Sequence, residues 1–232
     1  MIELRPFAKL GQEHLDWLDT HYHFSFAQYR DPERMGWGSI RVWNDDEIAP
    51  GQGFGVHPHE NMEIITYVRQ GAVSHQDSLG NKGRTEAGDV QVMSAGTGIR
   101  HAEYNLDAEP TRLFQIWIIP SERGGEPGWG TRPFPKADRA GRFVTLASGR
   151  DGDDDALPIR TDARVLGATL KAGTEIEYKL GAGRHAYLVP VFGTVEVNGI
   201  KAAARGGVAV HDEAVLKLRA DADTELVMVD AA

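Results

Sequence analysis

Short apolar segments, many of them bounded by glycine, constrain the fold of this 232-residue chain more than any other feature. The segments are rich in Val, Ile, Tyr and Phe, as in EIITYVRQG, GDVQVMSAG, RLFQIWIIP and AYLVPVFGTVEVNG. Helical periodicity is scarce, and the best helix candidate is GQEHLDWLDT at residues 11–20, where Leu15 and Leu18 lie three apart. Many short strands with glycine breaks predict an all-β barrel or sandwich.

The chain divides near residues 121–142, where SERGGEPGWGTRPFPKADRAGR is rich in Gly, Pro and charge and has no period of a strand or helix. The halves on either side resemble each other. HPHENMEIITYVRQGAVSHQD in the first half and RHAYLVPVFGTVEVNG in the second both run from a polar start through an apolar strand and a glycine to another strand. We therefore predict two β-barrel domains of one type in tandem, at residues 1–130 and 131–232.

Composition excludes several classes of function. Cysteine is absent, so disulfides and thiolate-bound metal sites are excluded. The net charge of −9 argues against nucleic acid or an anionic membrane as a direct partner, and it is compatible with a protein partner. The N-terminal residues lack the apolar core of a signal peptide, and no apolar run is long enough to span a membrane, which predicts a cytoplasmic protein.

Histidines at strand spacing mark the candidate site. The stretch GVHPHENMEII places His57 and His59 two apart, and Glu63 follows four residues later. Residues i and i+2 of a strand face the same way, about 6.6–7 Å apart, so one strand could direct these side chains into a barrel. GTGIRHAEYN repeats the spacing with His101 and Glu103. If the two strands are neighbours, four or five nitrogen and oxygen donors converge.

Such a group of donors favours a metal site. Buried imidazoles and carboxylates are costly without a counter-charge, and a divalent metal supplies it by taking N and O ligands at about 2.0–2.2 Å. Three histidines and one carboxylate leave open positions on a five- or six-coordinate ion, which suits catalysis. Spacing alone does not choose between Glu63 and Glu103. His21 and His23 share the spacing but lack a carboxylate of the same parity, so they predict an ordinary strand.

Two longer motifs carry a family resemblance. G51-x5-H57-x-H59-x3-E63-x7-G71 resembles the first cupin motif. G88-x5-S94-A95-G96, continued by H101-x3-N105, resembles the second, with Ser94 where most cupins have proline and two extra residues before the histidine. With HQDSLGNKG, QIWIIP and the N-terminal segment WLDTHYHFSFAQYRDPERMGWGSIRVWNDDEIAPGQGFGVHPH, the chain resembles the bacterial form of the pirin family over nearly its whole length.

The resemblance implies a bicupin, that is, two tandem jelly-roll-like cupin domains. The N-terminal domain would bind one divalent transition metal per chain through His57, His59, His101 and Glu103, with Glu63 next to the ligands rather than among them. Iron is the metal that the family implies, although Mn, Co, Ni, Cu or Zn suit the same donors. The C-terminal domain would lack metal ligands, and its two histidines are predicted to be structural.

The resemblance also implies an activity. Bacterial pirins are known for quercetin 2,3-dioxygenase activity, in which O2 opens the ring of a flavonol and carbon monoxide is released. Glu103 would then accept the proton of the flavonol 3-hydroxyl. The alternative is a non-catalytic, redox-responsive metal-binding regulator that acts through protein partners, as eukaryotic pirins do. A cupin isomerase, or a dioxygenase for another substrate, fits the same residues.

Overall fold

The computed structural model describes residues 1–232, of which 56% lie in strands and 4% in helices. The strands, in chain order, are β1 (Ile2–Arg5), β2 (Gly11–His14), β3 (Leu18–Tyr22), β4 (Ile40–Ile48), β5 (Gly53–His59), β6 (Glu63–Gln70), β7 (Ala72–Asp77), β8 (Lys82–Glu86), β9 (Val90–Ser94), β10 (Ile99–Tyr104), β11 (Thr111–Ile118), β12 (Gly128–Arg132), β13 (Val144–Ser148), β14 (Leu157–Pro158), β15 (Ala163–Leu170), β16 (Glu175–Lys179), β17 (His185–Phe192), β18 (Thr194–Val197), β19 (Ile200–Ala203), β20 (Gly207–His211), β21 (Val215–Ala220) and β22 (Thr224–Ala231). Three short 3₁₀ helices lie at Phe7–Lys9, Pro32–Arg34 and Lys136–Arg139. The predicted all-β fold is confirmed.

The chain forms two pairs of sheets with the same pattern, one built mainly from each half of the chain. The first half has a seven-stranded sheet, β12-β9-β6-β11-β4-β3-β2, and a four-stranded sheet, β5-β10-β7-β8. The second half has a seven-stranded sheet, β1-β20-β17-β22-β15-β13-β14, and a four-stranded sheet, β16-β21-β18-β19. Neighbouring strands are antiparallel except for the short β13–β14 pair. The two halves are therefore repeats of one architecture.

Two strands, β1 and β12, do not follow a simple division of the chain near residues 121–142. Strand β1 pairs with β20, with Ile2 opposite Val210, so the first residues of the chain complete the second half's sheet. Strand β12 lies inside residues 121–142 and pairs with β9 of the first half. The division into 1–130 and 131–232 stays a prediction, and β1 is a strand that crosses it.

The largest apolar core lies between the two halves. It contains 24 buried residues, among them Trp43, Tyr67 and Phe114 from the first seven-stranded sheet and Tyr187 and Val229 from the second. The two large sheets therefore pack face to face. Because side chains alternate along a strand, the other face of each large sheet is left to line the interior of its own domain.

The helix candidate at residues 11–20 does not form a helix. Strands β2 and β3 form a hairpin there, with Gly11 opposite Tyr22. Leu18 is buried whereas Leu15 is exposed, so the pair does not form one apolar helical face. His23 lies just past β3, and its Nδ1 is 2.8 Å from the Tyr187 hydroxyl of the second half. No helix in the structure is long and apolar enough to cross a membrane.

Candidate metal centre

Three histidines converge where two neighbouring strands pair. Strands β5 and β10 are antiparallel, with His57 opposite His101 and His59 opposite Ile99. The Nε2 atoms of His57 and His101 are 3.1 Å apart. The His59 ring centroid lies 4.8 Å from that of His57 and 5.0 Å from that of His101. One potential ligand atom from each of the three residues lies within 4.8 Å of the others.

Glu103 is buried beside this group. It follows His101 by two residues on β10, and its carboxylate lies within 4.8 Å of donor nitrogens of His101 and His75. The carboxylate accepts hydrogen bonds from Gln115 Nε2 at 2.9 Å, from Thr66 Oγ1 at 3.3 Å and from Gln91 Nε2. Burial raises the pKa of Glu103 to about 7, although these hydrogen bonds act to lower it.

The hydrogen bond of His57 shows which of its two ring nitrogens carries the proton. Its Nδ1 lies 2.7 Å from the Gly55 carbonyl oxygen. A carbonyl oxygen can only accept, so the proton of the neutral ring must sit on Nδ1. His57 Nε2 is then an unprotonated nitrogen with a free lone pair.

A chain of three side chains fixes His101 in the same way. His75 Nε2 lies 3.1 Å from the Asp77 carboxylate, which can only accept, so His75 carries its proton on Nε2. His75 Nδ1 then accepts a hydrogen bond from His101 Nδ1, 3.4 Å away. The His101 Nε2 atom is therefore also unprotonated. Carboxylate and imidazole partners of this kind orient the histidine ligands of metal sites.

The donor set fits a transition metal. The two unprotonated Nε2 atoms of His57 and His101 face each other at 3.1 Å, and their lone pairs repel unless a cation lies between them. Two nitrogen atoms that bind one metal ion at about 2.0–2.1 Å, with a ligand–metal–ligand angle of about 90–109°, are about 2.8–3.4 Å apart. Burial, with a smaller effect of His57, lowers the pKa of His101 to about 2 and that of His59 to about 4. The rings of His101 and His59 are therefore neutral, as metal binding requires.

A cavity of about 430 Å³ opens beside the histidines, within the size range of small-molecule sites. His57, His59, His101 and Glu103 form one part of its lining. Aromatic rings form much of the remainder: Trp17, Tyr22, Phe26, Phe54 and Trp117. Trp117 stands edge-on to His59, with 4.9 Å between the ring centroids. A planar aromatic molecule would therefore meet ring faces and edges next to the imidazoles.

Glu63 does not lie beside the imidazoles. Strand β5 ends at His59 and β6 begins at Glu63, and the turn between them passes through Asn61 with a positive φ of 48°. The alternation of side chains between the two faces of β5 therefore does not continue into β6. Ile64 lines the cavity, whereas Glu63 points to the opposite face and accepts a hydrogen bond of 2.6 Å from Ser94. The expectation that Glu63 lies next to the ligands is not met.

Sequence reasoning missed His75 and Asp77. They lie on β7, the strand that pairs with the other side of β10, and His75 stacks on Trp129 at 4.7 Å with nearly parallel rings. Gly83 leaves room for this indole, because any side chain there would collide with Trp129. Their i, i+2 spacing in the segment SHQD was the signal that could have found them, by the same rule that found His101 and Glu103.

The two sheet pairs, one with a histidine-rich centre in its interior, define the chain as a bicupin with a candidate metal site. The profile of the Pirin family matches residues 4–118, and that of the quercetinase C-terminal cupin domain matches residues 145–231. The chain belongs to the pirin family.

Individual relatives agree with this assignment. The chain is 66% identical over 232 residues to a pirin-like protein from Caulobacter vibrioides, covering 100% of both chains. It is 43% identical over 231 residues to the quercetin 2,3-dioxygenase of Escherichia coli K12, covering 99% of this chain and 98% of the relative. The crystal structure of the bacterial pirin YhhW from Escherichia coli in complex with nickel(II) matches with a TM-score of 0.94 and 42% identity, covering 100% of this chain and 99% of that one.

Proposed function

We propose that this protein is a metal-dependent dioxygenase that cleaves flavonols such as quercetin. The observation that carries the proposal is the pair of unprotonated Nε2 atoms, on His57 and His101, facing each other at the edge of a small-molecule cavity. The activity named for the Escherichia coli relative at 43% identity supports the choice of reaction.

Four side chains would hold the metal: His57, His59, His101 and Glu103. When bound, a divalent transition metal would lower the pKa of a coordinated hydroxyl, as it does for water, and would activate the substrate toward O2. Iron is our proposal for the resident metal, on the family resemblance. A related pirin has been crystallised with nickel(II), so metal analysis is part of any test of the proposal.

Glu103 is our proposed proton acceptor. Glu103 is 2% exposed and lines the same cavity as the histidines, so a substrate hydroxyl bound at the metal would be close to its carboxylate. Gln91 and Gln115 hold its carboxylate in place, so that one oxygen can receive the proton of the flavonol 3-hydroxyl. In the overall reaction both atoms of O2 enter the ring-opened product, and the carbon that bears the 3-hydroxyl leaves as carbon monoxide.

An aerobic assay with quercetin tests the proposal, with flavonol absorbance and released carbon monoxide as the two readouts. We expect Glu103→Gln to reduce kcat by at least about 100-fold, the usual contribution of a general base. Glu63→Gln is the matched control, because Glu63 is a buried glutamate that does not line the cavity.

Metal content must be measured in both variants, because a loss of metal would also abolish turnover. If Glu103→Gln keeps its metal and full activity, Glu103 is not the base. A wild-type protein that is loaded with metal and inert toward a panel of flavonols would favour the regulatory alternative.

A further inference from the structure

One wall of the cavity carries polar groups that are not among the proposed metal ligands. Strands β3, β4 and β11 are neighbours, and their register aligns Thr20 with Asp46 and Asn44 with Gln115. All four side chains line the cavity. They belong to the seven-stranded sheet, whereas His57 and His101 belong to the four-stranded sheet. The cavity therefore has a second polar region in addition to the candidate metal centre.

Asp46 is a buried carboxylate without a cationic partner. It is 2% exposed, and its carboxylate accepts a hydrogen bond from the Thr20 hydroxyl. The adjacent Asp45 faces away from the cavity and pairs with both Arg69 and Arg205. Burial raises the pKa of Asp46 to about 7. Two arginines therefore neutralise Asp45, whereas Asp46 has no cation beside it and lines the cavity.

Asn44 adds an unsatisfied acceptor to the same wall. It is 5% exposed, and its buried Oδ1 has no hydrogen-bond partner in the chain. A buried amide oxygen without a partner costs free energy, and native structures contain few of them. Asn44 and Asp46 are two residues apart on β4, so both side chains lie on the face of the sheet that lines the cavity.

Gln115 lies between the candidate metal centre and the polar pair Asn44 and Asp46, so one ligand could reach both regions. Gln115 donates to Glu103 at 2.9 Å and is opposite Asn44 in the sheet. Neighbouring strands are about 4.8 Å apart, so Asn44 lies one strand beyond the residue that holds Glu103. Asp46 lies two residues further along β4. Trp17, Phe54 and Trp117 line the same cavity, so a flat ring system would pack against aromatic side chains between its two polar ends.

We propose that Asn44 and Asp46 form a binding subsite for phenolic hydroxyls at the end of the substrate remote from the metal centre. The substrate class is then a polyhydroxylated aromatic molecule with an oxygen pair at one end and hydroxyl donors at the other. The subsite rests on the proposed function, because that function supplies the end bound at the histidines. The hydroxyl hydrogens would be donated to the Asp46 carboxylate and to Asn44 Oδ1.

Binding of two flavonols to the metal-loaded protein without oxygen tests the subsite. Quercetin and 3-hydroxyflavone share the 3-hydroxyl and carbonyl pair, but 3-hydroxyflavone lacks every other hydroxyl. We expect wild type to bind quercetin about fivefold or more tighter than 3-hydroxyflavone, the effect of about one hydrogen bond to a buried acceptor. In Asp46→Ala the ratio of the two Kd values should fall toward one, and the remaining preference would come from the hydrogen bond to Asn44 Oδ1. The ratio is the readout because a general loosening of the cavity affects both ligands.

Controls separate the subsite from the rest of the site. Glu47→Gln removes a negative charge from the same strand, but Glu47 faces Arg112 on the outside, so the wild-type ratio should be kept. Asn44→Ala should also lower the ratio, and it decides the question if Asp46→Ala does not fold. A ratio unchanged in both cavity variants, or a wild type that binds the two flavonols equally, overturns the subsite alone. If neither flavonol binds the metal-loaded protein, the proposed function fails and the subsite fails with it.

Discussion

The interiors of the two domains differ although their sheets have the same strand order. The interior of the second domain is filled by one cluster of 16 buried apolar residues, including Leu188, Leu216 and Leu218. The first domain has two small clusters, of five and four buried residues, and the polar groups of the cavity lie among them. The frame is therefore shared, and the inward-facing residues decide whether a domain is a packed core or a site.

The difference can be followed to single strand pairs. In the first domain β5, an edge strand of the four-stranded sheet, and its neighbour β10 place His57 opposite His101. The strands in the same places of the second domain, β16 and β21, place Ile176 opposite Leu218 and Tyr178 opposite Leu216. Apolar side chains at these positions gain free energy by leaving water, whereas buried imidazoles and carboxylates lose solvation that only a bound cation restores.

The largest effect, on metal content, is expected when His101 of the first domain is replaced by leucine, the residue type at the matching position, Leu218, of the second. His101→Leu replaces the proposed ligand whose Nε2 faces His57 Nε2 at 3.1 Å with an apolar side chain that offers no lone pair, so the metal content should fall from about one ion per chain to less than about one tenth. Elemental analysis measures this. Removing a buried polar group should leave the unfolding temperature of the metal-free protein unchanged or higher.

His185→Leu is the matched control in the second domain, and its metal content should equal that of wild type. His185 pairs with His211 in the sheet and packs against Trp37, away from the candidate centre. A full complement of metal in His101→Leu would break the comparison between the domains.

A core deletion in the second domain should have the converse result. Leu218→Ala removes a side chain that is 1% exposed, and we expect it to lower the free energy of unfolding by about 2–5 kcal/mol without changing metal content. Denaturant unfolding of the metal-free protein measures this. Leu79→Ala, at an exposed position, should change stability by less than about 0.5 kcal/mol. A large loss of metal in Leu218→Ala would show that the second domain takes part in binding.

The smallest effect is expected at the side chains that orient the centre. His75→Phe can keep the stacking on Trp129 but removes the nitrogen that accepts from His101 Nδ1. Metal affinity should fall by about 10- to 100-fold, the usual effect of losing such a partner. A competition titration against a metal chelator gives the Kd. Asp107→Asn, at an exposed carboxylate bound by Arg84, is the control. An unchanged Kd in His75→Phe would show that His75 does not orient His101 for metal binding.

Local periodicity accounts for what the sequence could predict. The all-β fold and the repeat of two domains follow from short apolar segments and glycine breaks. The convergence of His57, His59 and His101 follows from i, i+2 spacing on two strands, and the structure brings the three side chains together. That these residues and Glu103 bind a metal stays a prediction, supported by the free lone pairs of the two facing nitrogens of His57 and His101.

The remaining features depend on pairing between distant strands. The Glu63 expectation failed because a turn with a left-handed residue separates it from the strand of the histidines. Strand β1 joins β20 across more than two hundred residues, which no local pattern indicates. Asn44 and Asp46 belong to a polar run of β4, and only the register shows that they lie next to Gln115 and Thr20.

X-ray diffraction at the absorption edge of the bound metal tests the central claim most directly, since anomalous scattering locates the ion without assumptions about its ligands. We expect one peak per chain, about 2.0–2.2 Å from nitrogens of His57, His59 and His101 and from a carboxylate oxygen of Glu103. A peak beside His185 and His211 in the second domain, or crystals of the loaded protein without a peak at the three histidines, would contradict it.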